Sequence, residues 1–205
     1  MSDPREVIAT VLLALAAVAT AWSGYQATRW NGEQTKAASR TNAIRIDAAR
    51  SQGLAEAQKE VDVATFIQWV DAYAHRETEL TTFYERRFRA EFRPAFAAWL
   101  ATTPLTNPNA PLTPFVMPQY RLAAELEAQA LDVEAEASAA TVRRNIQRAS
   151  NYILGVVLFS VALFFAGMST KLATARLRSL TLAVGCVVFA GTVVWLATQP
   201  VSVAI

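Results

Sequence analysis

One histidine flanked by two carboxylates is the grouping here whose residue types and spacing most resemble a reactive site. His75 has Asp71 four residues before it and Glu79 four after. On an uninterrupted helix the three share a face, where an imidazole between carboxylates can bind a divalent metal or relay a proton. A metal site would need ligands from elsewhere in the chain, so the simpler reading is an ion-paired histidine on a surface or between helices. No Walker loop, G-x-G-x-x-G, C-x-x-C or G-x-S-x-G motif occurs. No enzyme is expected, and no catalytic, cofactor or metal-binding residue is assigned. The single cysteine, Cys186, lies in an apolar run and has no intrachain partner, so it reads as an inert thiol facing lipid or a neighbouring helix.

The elements that must carry these residues are dominated by a membrane. Residues 149–170 and 179–205 hold no charged side chain, and between them sits the basic linker 171–178 with Lys171, Arg176 and Arg178. Each run is long enough to cross a hydrocarbon core of about 30 Å as a helix, the form that satisfies its own backbone groups in lipid. Residues 149–205 are therefore expected to be a C-terminal transmembrane hairpin. A third uncharged run, 7–28, lies between Glu6 and Arg29. Ala19-Thr20-Ala21 has the form of a signal-peptide cleavage site, but Arg5 is offset by Asp3 and Glu6, so we read a retained N-terminal transmembrane helix over 1–28. Ala16, Thr20 and Gly24 in the first span, with Ala162 and Ala166 in the second, have the small-xxx-small spacing of a helix-packing face. The ordinary alanine content of the chain is the competing explanation.

The polar stretch 29–148 is expected to be a helical insert. Ala27, Trp30, Gln34, Ala37, Thr41, Ile44, Ala48, Ser51 and Ala55 fall alternately three and four residues apart, a heptad-like coiled-coil seam of mostly small side chains. The spacing predicts one long helix leaving the membrane, with a bend or break near Ser51–Gly53. Over 61–99 an apolar stripe runs through Phe66, Trp69, Val70, Tyr73, Leu80, Tyr84, Phe88, Phe92, Phe96 and Trp99. Such a stripe is bundle core far more often than a cofactor box. Arg86, Arg89 and Arg93 beside it are candidates for lipid head-group contact, against the plainer reading of a solvated face mixed with Glu85 and Glu91. Arg143, Arg144 and Arg148 are further head-group candidates at the membrane end of the insert.

Residues 102–118 contain Pro104, Pro108, Pro111, Pro114 and Pro118 and no glycine, so they predict a stiff, extended loop. Leu105, Leu112, Phe115, Val116 and Met117 give it apolar area to pack on the bundle. After it, 119–148 reads as a helix running into the second span, with a seam over Leu126, Ala130, Val133, Ala137 and Ala140. If this helix and the first stand upright and antiparallel, residues whose numbers total about 177 share a height. Arg45 then lies level with Asp132, Arg50 with Glu127 and Ile44 with Val133.

The fold class expected is an all-α membrane protein, three transmembrane helices with a helical-bundle insert between the first and second. The aromatic residues Trp22, Tyr25, Trp30, Tyr152 and Trp195 all fall toward the insert side, as interfacial belts do. The short linker has three cations and no anion, which favours a cytoplasmic linker and an extracytoplasmic insert. A formal net charge of +2 argues against a nucleic-acid partner. The expected partners are membrane lipid, further copies of the chain, and a protein bound through the insert.

The segments 21–35 (AWSGYQATRWNGEQT), 107–120 (NPNAPLTPFVMPQY), 148–159 (RASNYILGVVLF) and 165–172 (FAGMSTKL) carry a resemblance. With them, nearly the whole chain resembles a group of uncharacterised bacterial, actinobacterial-type membrane proteins with one N-terminal and two C-terminal spans around a helical insert. The resemblance implies a bacterial inner-membrane location and no particular activity.

With no charged residue in any span, active transport is disfavoured. The expected role is a non-enzymatic, membrane-anchored helical-bundle protein, a scaffold, sensor or assembly partner that is homo-oligomeric. The alternative is a homo-oligomeric channel for ions or small solutes, lined by Thr10, Thr20, Ser160, Thr181 or Thr192.

Overall fold

The computed structural model describes residues 4–202, and among these the regular structure is helical throughout, with no strand. Helix α1 runs over Pro4–Ala74, α2 over Thr78–Arg87, α3 over Arg93–Leu100, α4 over Ala123–Ser169 and α5 over Ala175–Ala197. A short 3-10 turn, Pro114–Val116, interrupts the proline-rich loop. Three helices, α1, α4 and α5, are long and apolar enough to cross a membrane. The chain divides into two compact units, one of residues 1–40 with 137–205 and one of residues 41–136. The boundary thus falls about three helical turns outside the ends of the apolar runs.

α1 is continuous for 71 residues. Pro4 sits in its first turn, where a missing N–H is harmless, and no other proline occurs before Pro94. The break expected near Ser51–Gly53 does not occur: a lone glycine in a helix costs only about 1 kcal/mol, too little to break a ladder anchored on both sides. The helix stops instead at a Schellman turn. The Glu77 N–H donates to the Ala72 carbonyl at 2.9 Å and the Arg76 N–H to that of Tyr73 at 3.1 Å. Arg76 takes the left-handed conformation, φ 61°, usually given to glycine at this point.

In the unit holding the apolar runs, α1 and α4 pack antiparallel, with α5 against both. Ala9 and Leu12 meet Ala166 and Leu182 toward one end, and Ala27 and Trp30 meet Ala149 and Tyr152 toward the other. The buried face of α1 is Ala9, Leu12, Ala16, Ser23, Gln26 and Trp30. It shares only Ala16 fully with the expected small-residue face, because steps of four drift around a helix with 3.6 residues per turn. Thr20 is half-buried, and a Cβ on Gly24 would meet nothing within 4 Å. Ala162 and Ala166 are fully buried as expected. The glycine they approach is Gly185, where a Cβ would lie 3.3 Å from Phe165 Cβ and 3.4 Å from the Ala162 carbonyl.

α5 begins at Ala175, so Arg176 and Arg178 belong to its first turns and not to the linker. It ends at Ala197, and residues 198–202 leave the helix and bond to α1 and α4. The Pro200 carbonyl accepts hydrogen bonds from Trp30 Nε1 at 3.2 Å and from the Tyr152 hydroxyl at 3.3 Å. Ser202 N–H donates to Gln26 Oε1 at 2.9 Å, and Asn151 Nδ2 to Gln199 Oε1 at 2.7 Å. Trp30 and Tyr152 are therefore buried anchors, whereas Trp22 and Tyr25 stay exposed. Residues 203–205, the last of the expected hairpin, lie outside the described residues.

In the unit of residues 41–136 the α1 seam is Thr41, Ile44, Ala48 and Ala55, all buried, with Ser51 half-buried between them. Ala55 packs on Ala124 in the first turn of α4 and on Leu122 just before it, which agrees with the expected height rule. The expected azimuth of α4 is wrong. Its buried face is Ala124, Ala128 and Ala135, with Leu131 half-buried, while Leu126 is 54 % and Val133 73 % exposed. α4 carries two heptad stripes, and the one of smaller side chains faces inward, because close helix approach favours small residues. Arg45 accordingly pairs one turn away from Asp132, with Glu136 at 3.5 Å, and Arg50 pairs with Asp47 on its own helix at 3.2 Å.

Candidate functional site

The chemistry-bearing residues of the second unit gather at the far end of α1. The sequence spacing that placed Asp71, His75 and Glu79 on one face is broken by the turn at Arg76, which puts Glu79 on α2. His75 keeps only Asp71. Its ring Nδ1 lies 2.9 Å from the Asp71 carbonyl and 3.5 Å from the Asp71 carboxylate. The bond to that carbonyl, followed by the Asp71 charge, raises the imidazole above its ordinary value. Among the described residues no group of three or more His, Cys, Asp or Glu side chains is placed to hold a metal.

The aromatic stripe forms a core. Phe66, Trp69, Phe88, Phe92, Phe96 and Trp99 are buried together, with Tyr84, Phe115, Met117 and Tyr120 packed on them. Trp69 and Phe96 meet edge to face at 4.9 Å, Phe66 and Trp99 at 5.3 Å, and Phe92 stacks on Phe115 at 5.2 Å. Each such pair adds about 0.5–1.5 kcal/mol beyond burial. Pro94 falls in the first turn of α3, so the proline starts that helix, and Phe88 before it is extended.

Beside this core lies an ionic network that the sequence spacing did not reveal. Asp62, on α1, has a side chain only 1 % exposed. Its Oδ2 accepts Arg89 Nη1 at 2.9 Å and the Tyr120 hydroxyl at 3.1 Å, while its Oδ1 has no protein partner. The other arm of Arg89 donates to Glu91 Oε2. Glu91 Oε1 in turn accepts the N–H of Ala123, the first residue of α4, at 3.0 Å. A carboxylate at a helix amino end satisfies a free N–H and suits the macrodipole. Thus α1, the α2–α3 connection and the start of α4 are joined through one guanidinium. Burial holds the Asp62 carboxyl above the ordinary aspartate value, opposed by Arg89 and Tyr120. Burial, then the Asp62 charge, pushes the Tyr120 phenol up, so it remains a donor.

Arg89 and Arg93, candidates for lipid contact, have partners inside the fold: Arg93 Nε donates to the Phe88 carbonyl at 2.9 Å and Nη2 to that of Arg86 at 3.2 Å. The Arg86 side chain is exposed. In the other unit Arg143 and Arg144 are exposed, with Arg144 bonded to Thr141 at 2.8 Å, and Arg148 lies over the Trp30 ring at 4.5 Å.

The proline-rich loop closes one side of a cleft of about 1060 Å³. Trp69, Tyr73 and Trp99 form its aromatic wall, and Leu105 and Leu112 lie opposite on the loop. The loop is held by Trp99 Nε1, which donates to the Pro111 carbonyl at 2.7 Å, and by Asn107 Nδ2, which donates to that of Thr102 at 3.1 Å. Pro114 is buried and Phe115 and Met117 reach the core, as expected for a packed loop. Leu105, Leu112 and Val116 do not: Leu112 is 92 % exposed. Trp69 Nε1 is taken by Glu85 Oε1 at 2.9 Å. The cleft therefore presents indole rings and not indole donors. No protein-family model matches the chain, and no curated protein or solved structure does either.

Proposed function

We propose that the chain is a non-enzymatic, membrane-anchored helical scaffold that assembles with further copies of itself, held in a bacterial inner membrane with the 29–148 insert extracytoplasmic. The observation that carries this reading is the outward stripe of α4. Leu126, Ala130 and Val133 keep heptad spacing, are exposed, and are left over after the intrachain seam has been closed by alanines. Stripes of that kind are what a helix offers to another helix. Ile46, Leu54 and Val61 lie exposed on α1 in the same unit.

The channel alternative has less behind it. The hydroxyls of Thr10, Thr20, Ser160, Thr181 and Thr192 each donate to a carbonyl four residues back on their own helix. None of these donors needs a water-filled path. The test is the mass of the full chain in lipid nanodiscs or native membranes, compared with a Leu126→Glu/Val133→Glu double variant. The reading expects a multimer that the charged variant reduces to single chains, since both positions are exposed and tolerate the change. A single chain for the unaltered protein across the concentration range sinks it.

A further inference from the structure

The cleft beside the proline-rich loop has the features of a ligand site, independently of whether the chain self-associates. Its volume, about 1060 Å³, is at the upper end of the ~300–1000 Å³ common for small-molecule sites. Its walls stay wet: Leu112 and Leu105 are strongly exposed, and Val70 and Tyr73 nearly half so. With both indole N–H groups bound inside the protein, the aromatic wall offers ring faces to an apolar body and no donor.

The lip sets the sign of the rest of the ligand. Arg76 is the single charged side chain lining the cleft, and it has no ion pair among the described residues. Thr78, also on the lining, begins α2, whose positive amino end lies at the same lip with Glu77 at its cap and Glu79 in its first turn. Arg76 occupies a left-handed position at which glycine would be strain-free, and retained strain of this kind clusters at ligand clamps.

We propose that the cleft binds an amphiphile with a hydrocarbon body and one anionic head group, the head on Arg76 and the body along Trp69 and Trp99. Carboxylate and phosphate heads share the required chemistry. A long-chain carboxylate and an alkyl phosphate are the two sources.

Photo-crosslinking of the full chain in phosphatidylcholine nanodiscs tests this with three diazirine-bearing probes of equal chain length: the carboxylate, the alkyl phosphate and the uncharged methyl ester. Labelled peptides are located by mass spectrometry, and labelling of α5 serves as the internal reference for probe dissolved in lipid. The anionic probes are expected to label peptides spanning 66–76 and 99–112, and the ester to label only the membrane helices. Labelling by one anion and not the other supports the proposal and names the source. Arg76→Gln should lower cleft labelling about tenfold relative to α5, the effect of losing one charge-assisted bond. Leu112→Glu, at a position too exposed to matter for folding, should lower it comparably by placing a like charge on the wall. Cleft labelling by the ester equal to that by the acids, or a cleft-to-α5 ratio that both substitutions leave within about twofold, overturns the proposal.

Discussion

Truncating Arg89 to alanine is the sharpest perturbation of the insert. It leaves the Asp62 carboxylate, 1 % exposed, with the Tyr120 hydroxyl as its remaining donor, and leaves Glu91 without its cation. Removing one member of a buried pair costs about 3–5 kcal/mol. Arg89 itself keeps 24 % of its side chain in solvent, so the lower end, about 3 kcal/mol, is expected. Arg45→Ala is the control, because its pair with Glu136 joins two exposed side chains at 3.5 Å and is worth about 0–0.5 kcal/mol. Asp62→Asn should cost about 1 kcal/mol, since the amide oxygen still accepts from Tyr120 and the buried charge is gone. Hydrogen exchange of the full chain in nanodiscs reads these differences locally. A 3 kcal/mol loss speeds exchange about 150-fold in 62–72 of α1 and the first turns of α4, with α5 unchanged. The pH dependence follows from Asp62. Its folded carboxyl titrates above the ordinary 3.8, so between those two values the folded state binds more protons than the unfolded one. That window favours the folded state as pH falls. Without Arg89 the carboxyl rises further, so the deficit of Arg89→Ala should shrink as the pH falls from 7 toward the ordinary aspartate range. Exchange no faster than in Arg45→Ala, or a deficit that does not change with pH, would refute the idea that this guanidinium holds the three segments together.

Three further outcomes are expected. Gly185→Leu, which forces a side chain into the Phe165 and Ala162 backbone contact, should destabilise the membrane helices by about 1–3 kcal/mol in thermal unfolding, whereas Gly24→Leu, facing open space, should stay within about 0.5 kcal/mol. In a Cys186→Ala background, cysteines at Ile44 and Ala135 should form a disulfide faster than cysteines at Ile44 and Val133, because Val133 points away from the α1 seam; equal rates would restore the first-expected face. Arg76→Gly should raise the thermal midpoint, by up to about 1 kcal/mol of relieved left-handed strain, and no gain would mean that the arginine has compensating contacts.

The seam of α1 was legible because one helix face with one neighbour leaves a single period to find. All nine residues from Ala27 to Ala55 chosen by spacing are buried or half-buried. The seam of α4 was not, because Leu126 and Val133 are larger than Ala124, Ala128 and Ala135, and hydrophobicity ranks size where close helix packing selects smallness. Gly53 misled for a related reason: a residue that weakens a helix does not end one unless a turn is available to end it. The actual stop, at Arg76, carries no glycine to mark it. The site residues split the same way. The aromatic core appeared as a helical stripe, but Asp62 stands 27 residues from Arg89 and 58 from Tyr120, pairings with no shared period.

The three candidate spans were determined by sequence alone, because a bilayer asks only for a length of helix without charges, and composition states that directly. The order and antiparallel height of α1 and α4 followed, since two helices joined to the same boundary rise by the same amount per residue. Which face of α4 turns inward, which arginine is neutralised inside the fold, where the last span ends and what lines the cleft were decided only by the tertiary structure. Each depends on the direction of a side chain toward a partner distant in sequence, and direction is set by packing.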